Sequence, residues 1–236
     1  MPVCIRNMNT IRNLPISPPL IAPSLLASNF ANLQSEIINA EQGGADLLHI
    51  DIMDGHFVPN LTIGPPVVRS IRDVTNMIFD VHLMLTNPAG FIEPFAKVGS
   101  NHITFHVECK NNIKEVIKLI KKHSMSIGLS VKPSTPIEEV FPYLDYIDLI
   151  LIMTVEPGFG GQSFMPSMMP KVRTVRKKIN SLNKKIHVQV DGGINVNTVS
   201  EPVSAGANML VAGNSVFRAK NGIKDAISLL RSRLSS

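Results

Sequence analysis

The sequence is poor in aromatic residues for stacking on nucleic-acid bases, in cysteines for disulfides and in long apolar runs for crossing a membrane. It contains no tryptophan, two tyrosines and two cysteines, Cys4 and Cys109. Because aromatic side chains for base stacking are scarce, the net charge of +5 favours a small anionic ligand over nucleic acid. Two isolated cysteines predict neither a disulfide framework nor a paired thiolate metal site, which indicates a reducing compartment. No apolar run approaches the ~20 residues that cross a bilayer, so we expect a soluble protein without a membrane partner.

The amino-terminal segment lacks acidic residues, since the first in the chain is Glu36. Together with Arg6 and Arg12, this composition weakly resembles that of an organelle-targeting peptide. We expect instead a flexible extension over residues 1–17 of a cytoplasmic protein, and targeting to an organelle stays as the alternative.

The apolar residues that are present recur with the period of an α/β fold. Hydrophobic residues make up 44% of the 236 positions, enough to bury a substantial core. Eight apolar, often β-branched segments recur at intervals of roughly 20–35 residues, which leaves room for a crossover helix each time. Eight parallel βαβ units in this length predict a single (β/α)8 TIM barrel over residues 18–236. The predicted strands are 20–25, 46–52, 77–83, 102–107, 126–131, 147–153, 186–190 and 209–211.

Two of the intervening helices have recognisable ends. Asn29 is predicted to cap a helix that runs to Gln42 and stops at Gly43. A second helix is predicted to start at Asn111 and to end near His123.

Polar side chains occur at the ends of three predicted strands. His49 and Asp51 share one face of the second strand, because alternate residues of a strand point the same way. His82 ends the third strand and Asp191 the seventh. The loops after the strands build the active face of a barrel, so these four residues should meet. Two imidazoles and two carboxylates suit Zn, Fe, Mn or Co, and the donor set alone does not choose among these metals.

Three further polar residues near strand ends are interpreted as secondary. His106 is predicted either to support a metal ligand or to serve only in packing, and Glu108 to lie in a loop beyond the fourth strand. A Schiff-base role for Lys132 is an alternative that the following Pro133 disfavours, since this pair indicates a turn.

Glycines follow the sixth, seventh and eighth predicted strands. Glycine lets main-chain N–H groups approach an oxyanion closely, so phosphate binding needs no arginine there. Barrels that hold phosphate often do so with the loops after strands seven and eight. The clusters are Gly158, Gly160 and Gly161, then Gly192 and Gly193, then Gly213.

Four long motifs together resemble the ribulose-phosphate 3-epimerases. They comprise residues 49–60, 80–84, 153–162 and 190–193, and the resemblance extends from about Leu20 to the end of the chain. It implies a barrel of the ribulose-phosphate-binding type with one divalent metal ion, zinc first and Fe, Mn or Co as alternatives. It also implies roles for individual residues: metal ligands His49, Asp51, His82 and Asp191; acid/base pair Asp51 and Asp191; substrate contacts Ser24, His82, Gly158, Phe159, Gly160, Gly161, Asp191, Gly192, Gly193, Gly213 and Asn214; and cavity-lining Met53, Met84 and Met153.

The activity implied by the resemblance is interconversion of D-ribulose 5-phosphate and D-xylulose 5-phosphate in the pentose phosphate pathway. Two bases would transfer the C3 proton through a cis-enediolate, and a homo-oligomer is expected. One departure from the family is Asn214, since a serine usually follows the glycine at 213. Two alternatives stay open: a 3-epimerase of a ketohexose phosphate such as allulose 6-phosphate, and a sugar-phosphate-binding barrel without catalysis.

Overall fold

A computed structural model describes residues 10–234, and within this range the chain forms eight strands that alternate with helices. The strands are β1 (Leu20–Pro23), β2 (Leu47–Met53), β3 (Ile78–Met84), β4 (His102–His106), β5 (Ser126–Val131), β6 (Leu149–Met153), β7 (His187–Asp191) and β8 (Met209–Ala212). The α-helices are α1 (Leu33–Gln42), α2 (Pro65–Arg72), α3 (Ile92–Lys97), α4 (Ile113–Lys122), α5 (Met169–Ser181), α6 (Ser200–Ala205), α7 (Asn214–Phe217) and α8 (Ile223–Leu234). A 3-10 helix over Ile137–Tyr143 connects β5 to β6.

All neighbouring strands are parallel and the sheet curls into a barrel. The strand order is β1-β8-β7-β6-β5-β4-β3-β2, so β1 and β2 lie at the two ends of the sheet. A parallel bridge between Ser24 and His49 joins these ends, and Asp46 N–H donates to the Ile21 carbonyl at 3.0 Å. The predicted (β/α)8 barrel is confirmed, and the observed strand bounds lie within two residues of the predicted ones.

The two faces of each strand carry different residues, as the period-2 pattern predicts. On β2, Leu48 and Ile50 point outward into the apolar layer under the helices, whereas His49 and Asp51 point into the barrel. Inward polar residues come from β2, β3, β4, β5 and β7, while β1, β6 and β8 contribute apolar ones such as Met209. The polar strands β2 to β5 are therefore adjacent in the barrel, and β7 lies between the apolar strands β6 and β8.

The helix caps agree with one prediction and correct another. Asn29 accepts a hydrogen bond from Ala31 N–H at the start of a 3-10 turn that leads into α1, and Gly43 ends α1. The cap of α4 is Asn112, because its side chain accepts from Lys114 N–H at 3.0 Å. The prediction of Asn111 was wrong by one residue, since its side chain accepts from Ala89 N–H instead.

The predicted extension over residues 1–17 lies partly outside the described residues, and only its part from Thr10 on is described. Ile11 is fully buried among the apolar residues at the amino ends of the strands. Its carbonyl accepts from His187 Nε2 at 3.1 Å, and Arg12 Nε donates to Asp148 at 2.8 Å. Residues 10–13 therefore pack against the base of the barrel, contrary to the flexibility expected of this part of the segment.

Candidate active site

The four residues predicted to meet at the mouth of the barrel do so. His49 and Asp51 lie on β2, His82 on β3 opposite Asp51 in register, and Asp191 at the end of β7. One potential ligand atom of each lies within 4.8 Å of the others. The two histidines and Asp51 are buried, and Asp191 is partly exposed. The fold thus brings two imidazoles and two carboxylates together at one point.

His49 is held by a carboxylate on the neighbouring strand. Its Nδ1 lies 2.8 Å from Asp80 Oδ2, which also accepts from Gln189 Nε2 at 2.7 Å. The opposite ring atom, Nε2, lies 3.2 Å from Asp51 Oδ1 and 4.0 Å from Asp191 Oδ2, yet it makes no well-formed hydrogen bond. Burial lowers the pKa of His49, but the charges of Asp51 and Asp80 outweigh burial and raise it well above its usual value.

In His82 the two ring nitrogens exchange the positions that they have in His49: Nδ1 faces the cluster and Nε2 faces a supporting residue. Its Nδ1 lies 3.0 Å from Asp51 Oδ1, and its Nε2 lies 2.9 Å from Nε2 of His106 on β4. Each histidine of the cluster therefore keeps one nitrogen on a supporting residue and turns the other toward the carboxylates. A metal-ligating histidine has this arrangement.

The two aspartates have pKa values displaced in opposite directions. Burial would raise the pKa of Asp51, but the charge of His49 outweighs burial and lowers it well below its usual range. Burial, followed by the negative charge of Asp51, raises the pKa of Asp191 to about 7. In a protein without metal, Asp51 is thus ionised at neutral pH while Asp191 is close to half protonated.

The cluster fits a divalent metal ion. The buried Nε2 of His49 lacks a hydrogen bond, and the potential ligand atoms converge on one small volume. Two nitrogens and carboxylate oxygens are donors for Zn, Fe, Mn and Co alike. A divalent cation is therefore compatible with the site, and the donor set does not identify the metal.

A cavity of about 330 Å³ lies directly above the cluster. The cavity is lined by Asp51 and Asp191 and by the residues predicted for substrate binding and for the apolar lining, except His82. His82 lies below the cavity floor and is fully buried. The predicted residues found in the lining are Ser24, Met53, Met84, Met153, Gly158, Phe159, Gly160, Gly161, Gly192, Gly193, Gly213 and Asn214.

The glycine loops form one wall of this cavity. Gly193 has φ +70°, and a Cβ there would collide with the Phe164 backbone. The carbonyl of Gly192 accepts from Thr154 Oγ1 and that of Gly193 from Thr198 Oγ1, so hydroxyl groups fix both peptide planes. Among the described residues that line the cavity, none is lysine or arginine. An anion here would be bound by main-chain and neutral polar groups.

The sequence analysis assigned no role to Asp80 and Gln189, and it did not predict the contacts of Glu108 and Lys132. Asp80 and Gln189 lie in strand interiors, where an isolated polar residue gives no sign of its partner on another strand. Asp80 shares a face with His82, which was the available signal. Glu108, predicted to lie in a loop, accepts from His106 at 3.1 Å. Lys132 Nζ lies 3.8 Å from the centre of the Phe57 ring, where it makes a cation–π contact.

A (β/α)8 barrel with a paired-aspartate cluster below a cavity at the carboxyl ends of its strands defines the class: a barrel enzyme. Residues 20–217 match the model of the Ribulose-phosphate 3 epimerase family. The chain belongs to this family, and the expected family membership is confirmed.

Individual relatives agree over most of the chain. It is 52% identical over 215 residues to a ribulose-phosphate 3-epimerase, cytoplasmic isoform, of Oryza sativa subsp. japonica, covering 89% of this chain and 92% of the relative. It is 44% identical over 212 residues to the ribulose-phosphate 3-epimerase of Bacillus subtilis (strain 168), covering 89% and 97%. These relatives support the assignment of the chain as an epimerase.

Solved structures with little sequence similarity share the fold. KGPDC from Streptococcus mutans superposes with a TM-score of 0.70 at 16% identity, covering 92% of this chain and 97% of that one. A 3-hexulose-6-phosphate synthase gives a TM-score of 0.68 at 13% identity, covering 91% and 99%. At these identities the likeness establishes the barrel alone. None of the helices over residues 10–234 is both long and apolar enough to cross a membrane.

Proposed function

We propose that this protein interconverts D-ribulose 5-phosphate and D-xylulose 5-phosphate by removing and returning the proton at C3. The observation that carries the proposal is the placement of two carboxyl groups, Asp51 on β2 and Asp191 on β7, in the lining of one cavity beside two histidines. Pairs of carboxyl groups whose surroundings separate their pKa values are typical of acid/base catalysis. The printed names of the relatives supply the substrate.

Inversion at a carbon requires that a proton leave one face and that another arrive on the opposite face. Asp51, on β2, is ionised and acts as the base for one direction of the reaction. Asp191, on β7, carries the proton that is delivered to the other face, and the roles are exchanged in the reverse direction.

Loss of the C3 proton leaves negative charge that spreads onto the C2 oxygen as an enediolate. A divalent ion held by His49, Asp51, His82 and Asp191 would supply Lewis-acid stabilisation of this charge, worth several kcal/mol. Met53, Met84 and Met153 line the same cavity and exclude water from the reacting carbon.

The glycine loops are proposed to bind the phosphate group of the substrate. Because no lysine or arginine is found among the described residues of the cavity lining, main-chain N–H groups near Gly193 and Gly213 are the available donors. Asn214 replaces the usual serine, and its side-chain amide lies against Gly161 of the neighbouring loop. Ser24 reaches the substrate from β1, where its hydroxyl already contacts Asp51.

The test is exchange of the C3 proton in D2O, followed by NMR, with Asp51→Asn and Asp191→Asn. Each variant should lose at least about 100-fold in turnover while keeping its fold, because each lacks one acid/base group. Asp148→Asn is the matched control, since Asp148 lies at the opposite end of the barrel, bonded to Arg12. Near wild-type turnover in Asp191→Asn would overturn the two-base assignment.

The choice between a pentose and a hexose phosphate is tested separately. We expect kcat/KM for D-ribulose 5-phosphate to exceed that for allulose 6-phosphate, because the relatives are named for the pentose. A higher value for the hexose phosphate would reassign the substrate. No exchange with either sugar would leave a sugar-phosphate-binding protein, the second alternative.

We further propose zinc as the bound metal, a homo-oligomeric assembly and a cytoplasmic location. Zinc suits a site of two imidazoles and two carboxylates, and the name of the Oryza sativa relative supports the location. Elemental analysis of protein purified without added metal tests the first proposal. Light scattering and imaging of a carboxy-terminally tagged chain test the other two.

A further inference from the structure

A row of three side chains leads away from the candidate metal cluster through β4. Nε2 of His82 lies 2.9 Å from Nε2 of His106, and the two rings stack with centroids 5.0 Å apart. Nδ1 of His106 lies 3.1 Å from Glu108 Oε2, and Glu108 Oε1 accepts from the main-chain N–H of Lys132 at 2.8 Å. His106 is fully buried, and the ring of Phe57 packs on it at 4.8 Å between centroids.

The hydrogen bonds in this row have only one consistent direction. The N–H of Lys132 is a fixed donor, so Oε1 of Glu108 accepts and the other carboxylate oxygen is free to accept from Nδ1–H of His106. Nε2 of His106 then carries a lone pair and accepts from Nε2–H of His82. The remaining nitrogen of His82, Nδ1, is left with its lone pair directed at the cluster.

Glu108 is suited to the end of such a row. Burial would raise the pKa of this carboxyl, but the hydrogen bond to His106 and further bonds lower it to about 2. Glu108 therefore stays an acceptor at both oxygens. His49 differs from His82, because its supporting carboxylate, Asp80, contacts it directly inside the barrel.

We propose that His106 and Glu108 are positioning residues of the metal centre, which fix the tautomer and ring orientation of His82 so that Nδ1 is its ligand atom. This inference rests on the metal centre proposed above. It assigns a function to two residues that touch neither substrate nor metal. It also connects the centre to the loops after β2, β4 and β5, from which Phe57, Glu108 and Lys132 come.

Glu108→Gln is the sharpest test, because glutamine has the size of glutamate but only one acceptor oxygen. If its oxygen faces Lys132 N–H, its NH2 group faces His106 and favours the opposite tautomer along the row. If it is turned around, the NH2 group opposes the main-chain N–H. Either way we expect metal affinity to fall by about 10- to 100-fold, the range for lost support of a ligand.

A second pair of variants separates hydrogen bonding from packing at His106. His106→Phe keeps a ring against Phe57 but cannot accept from His82, so metal affinity should fall as in Glu108→Gln. His106→Gln places an amide oxygen near the position of Nε2 and should recover part of the loss. His187→Gln is the matched control, since His187 is a buried, hydrogen-bonded histidine at the other end of the barrel. It should leave metal affinity within about twofold.

The readouts are titration of metal-free protein with Zn²⁺ in competition with a chelator, and ¹⁵N NMR of the histidine rings. In the wild type with Zn²⁺ bound, His82 should carry its proton on Nε2. A proton on Nδ1, or unchanged affinity in both Glu108→Gln and His106→Phe, would overturn the inference. Failure of the wild type itself to bind any divalent ion would instead refute the metal centre, so the two failures are distinguishable. The NMR measurement needs no variant and decides the question even if the variants do not fold.

Discussion

Ser24 Oγ donates a hydrogen bond of 2.7 Å to Asp51 Oδ2 across the junction of β1 and β2. The other carboxylate oxygen, Oδ1, faces Nδ1 of His82 at 3.0 Å, so Ser24 holds the oxygen of the proposed base that is turned away from the histidines. The bond lies where the barrel closes, so the closure of the fold and the orientation of Asp51 depend on the same residue.

We expect Ser24→Ala to lower kcat/KM by about 10- to 100-fold, since a hydrogen bond to a charged group contributes ~1.5–3 kcal/mol. Steady-state kinetics measures the loss. Ser28→Ala is the control, because that hydroxyl donates only to the Leu25 carbonyl in the same turn. Wild-type kinetics in Ser24→Ala would mean that the hydroxyl does not orient Asp51.

Metal binding should release protons in a number that depends on pH. His49, whose pKa is raised well above its usual value, must lose a proton to become a ligand, and so must protonated Asp191. Since the pKa of Asp191 is about 7, we expect nearly one proton more to be released at pH 6 than at pH 8. The number of protons released is obtained from calorimetric titrations with metal in buffers of different ionisation enthalpy. Asp191→Asn should abolish the pH dependence, and equal release at both pH values in the wild type would contradict the prediction.

Chelation should remove the activity, and a divalent ion should restore it. The expectation follows from the charge that must be stabilised on the substrate oxygens and from the convergence of four potential ligands. Turnover is measured before and after dialysis against a chelator, together with the metal content. Full activity in a preparation with no detectable metal would refute the ligand set.

Ile11→Ala should destabilise the fold by about 2–5 kcal/mol, because the side chain is fully buried at the base of the barrel. Urea unfolding followed by circular dichroism measures the change. Leu61→Ala is the control, since 71% of Leu61 is exposed. A change below about 0.5 kcal/mol for Ile11→Ala, which is typical of surface positions, would show that packing of Ile11 does not stabilise the barrel.

Stability should fall in mild acid because of histidines at the base of the barrel. Burial lowers the pKa of His187, and that of His102, to about 4, whereas an unfolded histidine titrates near ~6.5. Between pH 4 and about 6.5 the unfolded chain binds more protons than the folded protein does. The free energy of unfolding therefore decreases as the pH falls from about 6.5 to 4. Urea midpoints across this range test it, and His187→Gln should show a shallower pH dependence than the wild type.

The sequence predicted the fold and the meeting of the four candidate ligands well, because both depend on periodicity. His49 and Asp51 had to share a face, and parallel strands had to place His82 and Asp191 at the same end of the barrel. The support of these residues was not predictable, since it depends on register. Asp80 stands opposite His49 in the β2–β3 pairing, and no pattern along the chain shows that pairing.

The limits at Glu108 and Ile11 have a different origin. Glu108 lies beyond the apolar run of β4, so periodicity assigned it to a loop, although its carboxylate reaches back to His106. Ile11 lies in a segment without the period of a strand or a helix. It is buried against the apolar residues at the amino ends of the strands, and these residues come together only when the barrel has formed. In both cases tertiary structure gives the residue its partner.

The packing of Ile11 has a practical consequence for handling the protein. Residues 10–13 lie at the amino ends of the strands, whereas the cavity opens at their carboxyl ends. A surface or carrier protein attached ahead of Thr10 would therefore be joined on the side of the barrel away from the cavity. Enzyme immobilised in this way should present its mouth to the solution and keep substrate access unobstructed.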